Sequence, residues 1–432
     1  MTEHVGLTRR AWIAGASAAP LAATTAAAQT PPAAAPAAPS PSAGASTALP
    51  ALDQFPGMNV TYLDAGSIHP FSVGARQAVA DFLSSRAMGG QPPGYGDIDR
   101  EERVIGMFAE LINATPAEIA FVQSTTMGEW LTIRSLGIPE SGGRIVTDDL
   151  HFFGSFVLYN ELKKQGMDVV IVRARADHKV HLEDLAAAVN GNTKLIAVSA
   201  VSTINGFQHE LKPIADLAHA HGAKLYVDAI HGCGVVPIDV RASGVDFLAS
   251  ASYKWLMGDM GLGFLYCRAD LLPTLKQPQI GYEQAAAFRS HAYPYDPPGD
   301  PLFETALRTD AQGHFGMGTK SNTVVAQLYF SLDYIKRLGL DAMREHRQPL
   351  LDKAKREIPR IAGFSPMTPD DCTSALAAFA YRDARTKLGP TLRAANVRVT
   401  LSANRLRVSG AVFNTMADVD RLLNVLESAP HS

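Results

Sequence analysis

Lys254 lies in the run Ser250-Ala251-Ser252-Tyr253-Lys254-Trp255-Leu256-Met257-Gly258. Asp228 lies upstream, in Leu225-Tyr226-Val227-Asp228-Ala229-Ile230-His231. A lysine amine forms a Schiff base with an aldehyde, and a buried carboxylate holds a pyridine nitrogen protonated. These are the two protein groups that pyridoxal 5'-phosphate chemistry most needs. Taken singly, each has a plainer fate. Most lysines are surface lysines, and an Asp at the end of a strand commonly shapes a turn. The flanks of Lys254 weaken the plain reading. Phe247-Leu248-Ala249 and Trp255-Leu256-Met257 surround the amine with apolar surface. Desolvation disfavours the ammonium, which suits imine formation and later proton transfer.

Three further groups would complete such a site. In Phe121-Val122-Gln123-Ser124-Thr125-Thr126-Met127-Gly128, three hydroxyls stand where a strand passes into a helix. Free N–H groups at a helix start bind an anion such as a phosphate; plain N-capping by Ser or Thr is the alternative. His151 follows Asp148-Asp149-Leu150 just after a predicted strand and could stack on a flat ring, as could Phe152 or Phe153. Arg405 and Arg407 fall on the same side of a predicted strand. Arg407 could grip a carboxylate with its two-pronged guanidinium, or both arginines could be solvated charges on an edge strand.

The elements that would position these residues alternate. Short apolar runs at 119–122, 144–147, 169–172, 195–198, 225–227, 247–249 and 263–266 predict strands. Helical periodicity at 127–136, 153–165, 181–189 and 214–221 separates the first five. That pattern predicts βαβ units and a mostly parallel sheet covered on both faces, with Asp228 at a strand's carboxyl end, where such sheets place ligands. No Gly-x-Gly-x-x-Gly follows the first strand, so a dinucleotide site is not indicated. Long helices at 328–338 and 340–358, strands at 375–381, 397–400 and 405–408, and a helix at 416–426 predict a small α+β domain over 331–428. The larger α/β domain with its N-terminal arm is predicted over 51–330.

The 432 residues carry a net charge of −3 and no long basic run, which argues against a nucleic-acid surface. Cys233, Cys267 and Cys372 are too few and too scattered for a disulfide framework or zinc ribbon. No metal site is expected. Thr8-Arg9-Arg10-Ala11-Trp12-Ile13, a short apolar stretch and Ala26-Ala27-Ala28 predict a twin-arginine signal over 1–28, and thus a periplasmic or exported protein that meets the twin-arginine translocation machinery. The apolar stretch is too short and alanine-rich for a spanning helix, so no stable membrane insertion is expected. Residues 29–50, rich in Pro, Ala and Ser, predict a disordered linker.

Together these residues resemble the class V aminotransferase family of fold-type I pyridoxal phosphate enzymes, which includes cysteine desulfurases, selenocysteine lyases, kynureninases and isopenicillin N epimerase-like proteins. The resemblance spans about 59–426. The resemblance implies Lys254 as the Schiff-base lysine, Asp228 as the partner of the pyridine nitrogen, and His231 as a partner of the ring hydroxyl. It implies Ser124, Thr125 and Thr126 as the phosphate turn, with Tyr253 a further phosphate ligand, and His151 stacked on the ring. Thr203 or Asn205 falls near the ring oxygen, Arg407 anchors the substrate carboxylate, and Gly318-Thr319 reaches the partner subunit's phosphate in a homodimer. Two departures stand out. Cysteine desulfurases carry a nucleophilic cysteine shortly before the anchoring arginine, whereas 396–404 contains none. Several members have Ser or Asn three residues before the lysine, where this chain has Ala251.

The expected function is chemistry at the α-carbon of a small amino acid or amine. Transamination ranks first, and β-elimination (C–S lyase) or epimerisation is the alternative. A degenerate pyridoxal-phosphate-binding protein is the non-enzyme alternative.

Overall fold

The structure is a computed structural model that describes residues 40–87 and 98–429. The predicted signal and residues 29–39 of the predicted linker lie outside the described residues.

In chain order the first strands are β1 Thr61–Tyr62, β2 Ile119–Val122, β3 Arg144–Asp148, β4 Asp168–Val172, β5 Thr193–Ser199, β6 Lys224–Asp228, β7 Phe247–Ala251 and β8 Gly263–Cys267. Except for β1 they form one seven-stranded sheet in the order β2-β8-β7-β6-β5-β3-β4. Strands β3 to β7 pair in parallel, and β8 runs antiparallel to both β7 and β2. The near-continuous apolar runs follow from burial on both faces. Ile196 and Val198 enter one core with Val227, while Leu195 and Ala197 enter the opposite one with Tyr226.

Helices α1 Val73–Ala87, α2 Ile98–Leu111, α3 Thr125–Ser135, α4 Ser155–Lys164, α5 Leu182–Ala188, α6 Leu211–Ala220 and α7 Val240–Ser243 cover this sheet, with α8 Ala311–Phe315 and α9 Asn322–Leu338. Helix α9 crosses position 331, where the predicted domains meet. Residues 40–50, the end of the predicted linker, lie along α9, with Ser40 and Ser42 hydrogen-bonded to Asp333 and Tyr334 to the Ser46 carbonyl.

In the chain, an antiparallel hairpin follows β8 and precedes α8: β9 Ala285–Ser290 with β10 Phe303–Leu307, which the sequence reading does not anticipate. Its strands are short of buried positions and the intervening stretch is rich in Pro and Tyr, so no apolar alternation marks it. The C-terminal region contains α10 Leu340–Glu357, β11 Ser365–Pro366, β12 Leu376–Ala380, α11 Ala384–Ala394, β13 Val397–Arg398, β14 Thr400–Ser402, β15 Arg405–Ser409 and α12 Met416–Glu427. Its sheet has the order β11-β12-β15-β14 and is antiparallel throughout. Helix α11 is a second element not anticipated, because Gly389-Pro390 in its interior reads as a breaker. Strand β1 pairs in parallel with β13 in a separate two-stranded sheet, which ties residues 61–62 to the C-terminal region.

Helix α3 is pressed close to β7. A Cβ added to Gly128 would come within 2.7 Å of the Ala249 Cβ. Helix propensity favours Gly128→Ala by about 1 kcal/mol, but overpacking costs about 1–3 kcal/mol. We expect net destabilisation, read as a lower denaturation midpoint with unchanged slope; a raised midpoint would contradict this packing.

Candidate active site

The carboxyl ends of the parallel strands converge at one edge. Strand β3 ends at Asp148 and leads to His151, β5 ends at Ser199, β6 at Asp228, and β7 at Ala251 just before Lys254. The turn that carries Lys254 is tightly bonded. Ser252 Oγ donates to the carbonyls of Asp259 (2.6 Å) and Leu262 (2.8 Å), and Gln327 and Ser331 of α9 donate to the Met257 carbonyl at 3.1 and 3.0 Å. The lysine is thus presented from a rigid loop.

Its amine is buried, with only 7 % of the residue exposed. Nζ lies 2.9 Å from His231 Nε2. Burial, reinforced by the positive charge of Arg407 and opposed by Asp228 and Asp64, lowers the Lys254 pKa to about 7. Asp228 is buried beside it, and burial raises its pKa against the pull of His151. Its Oδ1 accepts the Ile230 N–H at 3.0 Å, and Oδ2 takes no hydrogen bond among the described residues. That oxygen could hold a protonated ring nitrogen.

The hydroxyl turn divides its work. Ser124 is the N-cap of α3, its Oγ accepting the Met127 N–H at 3.1 Å, as the plain reading holds. Thr125 Oγ1 accepts the Ala251 N–H at 3.0 Å, which fastens the start of α3 to the strand bearing Lys254. Gly128 N bonds the Ser124 carbonyl. The N–H groups of Thr125 and Thr126, the first of the helix, remain to meet an anion, and Thr126 is exposed. Tyr253 is half-buried next to the lysine, with Lys254 Nζ 5.7 Å from its ring centroid.

Arg407 is buried on β15, an inner strand of the small sheet, so it is no solvated edge charge. Its Nη1 donates to the Thr203 carbonyl (2.9 Å) and Oγ1 (2.6 Å), and Nη2 to Ser67 Oγ (3.0 Å) and Thr400 Oγ1 (2.9 Å). Ser67 and Thr400 in turn donate to Asp64. Its Nε is buried without a partner among the described residues, and burial lowers the guanidinium pKa to about 10. Arg405 is half-buried and donates to the Ile204 carbonyl at 2.8 Å. Asn205 is spent on the loop itself, donating to the His178 carbonyl and accepting the Phe207 N–H. Gly318 and Thr319 are exposed, and Thr319 Oγ1 pairs with the Tyr282 hydroxyl at 3.0 Å.

His151 is fully buried, whereas Phe153 is exposed. Its Nδ1 meets Ser199 Oγ at 2.9 Å and its Nε2 meets Glu129 Oε1 at 3.1 Å. Glu129 also accepts from Ser155 (2.6 Å) and Tyr159. Sequence reasoning missed this carboxylate. The available signal was helical spacing: Thr125, Gly128, Glu129 and Thr132 share one face of α3, and Gly128 marks that face as the one against the sheet.

Burial opposes a charge on either partner, but each favours the charge on the other. The His151 pKa is raised and the Glu129 pKa lowered. A raised histidine contributes stability that is complete below its ordinary 6.5 and is lost as pH rises through the folded value. A lowered carboxylate contributes above its ordinary 4.5 and loses this as pH falls through the folded value.

The donors present suit an aldehyde cofactor with a phosphate: a desolvated amine, a buried carboxylate oxygen, two free helix-start N–H groups and a buried imidazole. A family model described as aminotransferase class-V matches residues 101–422. The chain belongs to the class V aminotransferase family. It is thus a pyridoxal-phosphate-dependent class V enzyme of the fold-type I architecture. A curated relative from Methanothermobacter thermautotrophicus, named probable cysteine desulfurase, is 26% identical over 308 residues, covering 70% of this chain and 73% of the relative. The crystal structure of the cysteine desulfurase CsdA from Escherichia coli superposes with a TM-score of 0.73 at 20% identity, covering 85% of this chain and 94% of that one. A lysine-to-alanine mutant of C-DES, with glycine covalently linked to its cofactor, gives a TM-score of 0.75 at 19% identity, covering 88% and 99%. C-DES is described elsewhere as a cystine C–S lyase in complex with its product cysteine persulfide, with a TM-score of 0.72 at 18% identity, covering 86% and 98%.

For this class V chain, Glu129→Gln should lower the His151 titration midpoint, followed by NMR, because burial is then opposed only by the weaker pull of Asp228 and Asp148. Stability near neutral pH should fall by about 1–3 kcal/mol. An unchanged midpoint would show that Glu129 does not set the histidine's charge.

Proposed function

We propose that this class V enzyme is a lyase that removes a β-substituent, a sulfur group foremost, from a small α-amino acid. The observation that carries the reading is the buried Lys254 amine with its pKa near 7, held between His231, Asp228 and Arg407. Pyridoxal phosphate supplies the aldehyde that takes up the substrate amine and a ring that draws electrons from its α-carbon. Lys254 would hold that aldehyde and would serve as the base for the α-proton, since a base with a pKa near the working pH transfers protons in both directions. Asp228 would hold the ring nitrogen protonated, the N–H groups of Thr125 and Thr126 would receive the phosphate, and His151 would cover the ring. Arg407, which touches hydroxyls and a carbonyl but no carboxylate among the described residues, receives the substrate carboxylate.

The names of the relatives favour β-elimination over the transamination that the sequence ranks first. The protein's thiols point away from a persulfide on the chain. Cys233, Cys267 and Cys372 are all buried, and burial raises each thiol, Cys233 to about 12. Where a desulfurase cysteine would be expected, β14 and β15 close a tight hairpin with Ser402 paired to Arg405. Sulfur would therefore leave on a small molecule.

Two organisational readings accompany this one. The twin-arginine pattern supports export of the folded, cofactor-loaded enzyme. The exposed Ile280, Tyr293, Tyr295 and Leu302 around the β9–β10 hairpin, with exposed Thr319, support a homodimer. Among the described residues no helix is long and apolar enough to cross a membrane, and no cluster of His, Cys, Asp or Glu is placed to hold a metal ion.

The test is incubation with an amino acid panel, assayed separately for ammonia with sulfide, for keto acid with pyridoxamine phosphate, and for racemised substrate. We expect ammonia and a released β-fragment. Keto acid formed with pyridoxamine phosphate would return the reading to transamination. Arg407→Ala should lower kcat/KM on carboxylate substrates at least about 30-fold, since losing one side of a buried charge pair costs about 2–5 kcal/mol. Full retention would remove Arg407 as the anchor. Cys372→Ala should leave sulfide release intact, and its loss would restore a protein persulfide.

A further inference from the structure

We propose that the indole N–H of Trp255 is a positioning group that fixes His231 in its Nε2–H tautomer and thereby favours the uncharged form of the Lys254 amine. The inference deepens the reading of Lys254 as the Schiff-base residue. It starts from two hydrogen bonds on one imidazole. Trp255 Nε1 lies 3.1 Å from His231 Nδ1, and Lys254 Nζ lies 2.9 Å from His231 Nε2. All three residues are buried.

An indole N–H is a donor only, so Nδ1 must turn its lone pair toward Trp255. His231 is neutral: burial first, then the positive charges of Lys254, Arg407 and Arg405, hold its pKa well below the ordinary value. A neutral imidazole carries one N–H, and with Nδ1 taken as the acceptor that proton sits on Nε2. Nε2–H then donates to Lys254, which must offer a lone pair. An amine has one and an ammonium has none. The other tautomer would set N–H against the indole N–H and present a lone pair to Lys254, welcoming the ammonium. Trp255 excludes it.

The charges around the amine show why a tautomer matters. Arg407 on β15 disfavours the ammonium, while Asp228 at the end of β6 and Asp64 after β1 favour it. The half-buried Tyr253 phenol, whose own pKa is raised by burial, adds no charge near neutral pH. With cation and carboxylates opposed, a donor aimed at the amine adds to burial. The same Nε2–H also suits an anionic ring oxygen, the partner that the family resemblance gives His231. Trp255 sits in an apolar cluster with Val235, Met257 and Phe413, so its ring has a packing role that Phe can largely keep.

The test uses the full chain, freed of cofactor and labelled with 15N-histidine, with His231 assigned through a His231→Gln variant. We expect His231 protonated on Nε2 and bare on Nδ1 across neutral pH. In parallel, the rate of covalent capture of added pyridoxal phosphate is followed against pH. The wild-type rate should climb through about pH 7, the Lys254 pKa. Trp255→Phe should move that midpoint upward by about one pH unit, the shift one net hydrogen bond supports. A wild-type His231 protonated on Nδ1, or an unmoved midpoint in Trp255→Phe, overturns the proposal. If Trp255→Phe does not fold, the wild-type tautomer decides alone. A wild type that never captures the aldehyde contradicts the cofactor role of Lys254 instead, and the tautomer spectrum still decides on Trp255.

Discussion

The site depends on keeping one lysine amine out of water. In water an ordinary lysine with a pKa of 10.5 is almost wholly ammonium at neutral pH; at about 7 roughly half of the Lys254 amines are free nucleophiles. The fold achieves this by placing Lys254 between a seven-stranded sheet and α9. The turn's own hydrogen bonds, and those from Gln327 and Ser331, prevent the side chain from escaping to solvent. The parallel strands bring Asp228, His151 and the start of α3 to the same edge, and the Thr125–Ala251 hydrogen bond locks that helix start to the lysine's own strand.

The charges are arranged as unfinished pairs. Glu129 and His151 form a completed pair, fully buried, with Ser155 and Tyr159 satisfying the remaining carboxylate lone pairs. Arg407 is different. It meets Asp64 only through the hydroxyls of Ser67 and Thr400, which accept from the guanidinium and donate to the carboxylate. That relay compensates a buried cation without occupying it directly. A buried guanidinium left short of a carboxylate is costly in an isolated protein and useful in one that must receive an anionic substrate. The same holds for the free oxygen of Asp228. In the proposed reading, a bound cofactor would saturate the free oxygen of Asp228, and an amino acid carboxylate would meet Arg407.

Much of this was legible in the sequence, for identifiable reasons. The β-strands of the large sheet are buried on both faces, so they read as uninterrupted apolar runs. Lys254, Asp228, His151 and Arg407 were legible because each is an unusual polar residue at a strand end or among apolar neighbours, His231 was legible only through the family resemblance, and the structure brings the five to one place. Thr203, which the resemblance sets near the ring oxygen, has its hydroxyl committed to Arg407. Helix α11 was hidden by Gly389-Pro390, a local signal that tertiary packing overrides. The β9–β10 hairpin was hidden because exposed strands carry no alternation. Glu129 and Trp255 were hidden for a deeper reason. Their roles are hydrogen bonds to residues distant in the chain or across a loop; helical spacing places Glu129 on the face toward the sheet, but it does not name the partner that only the assembled sheet supplies.

The central claim is that Lys254, and no other lysine, forms the covalent link to the cofactor. Borohydride reduction of the protein loaded with pyridoxal phosphate, followed by peptide mass mapping, tests it most directly. The account predicts a single pyridoxyl adduct on the peptide containing Tyr253-Lys254-Trp255. An adduct on another lysine, or none after full reduction, would contradict it.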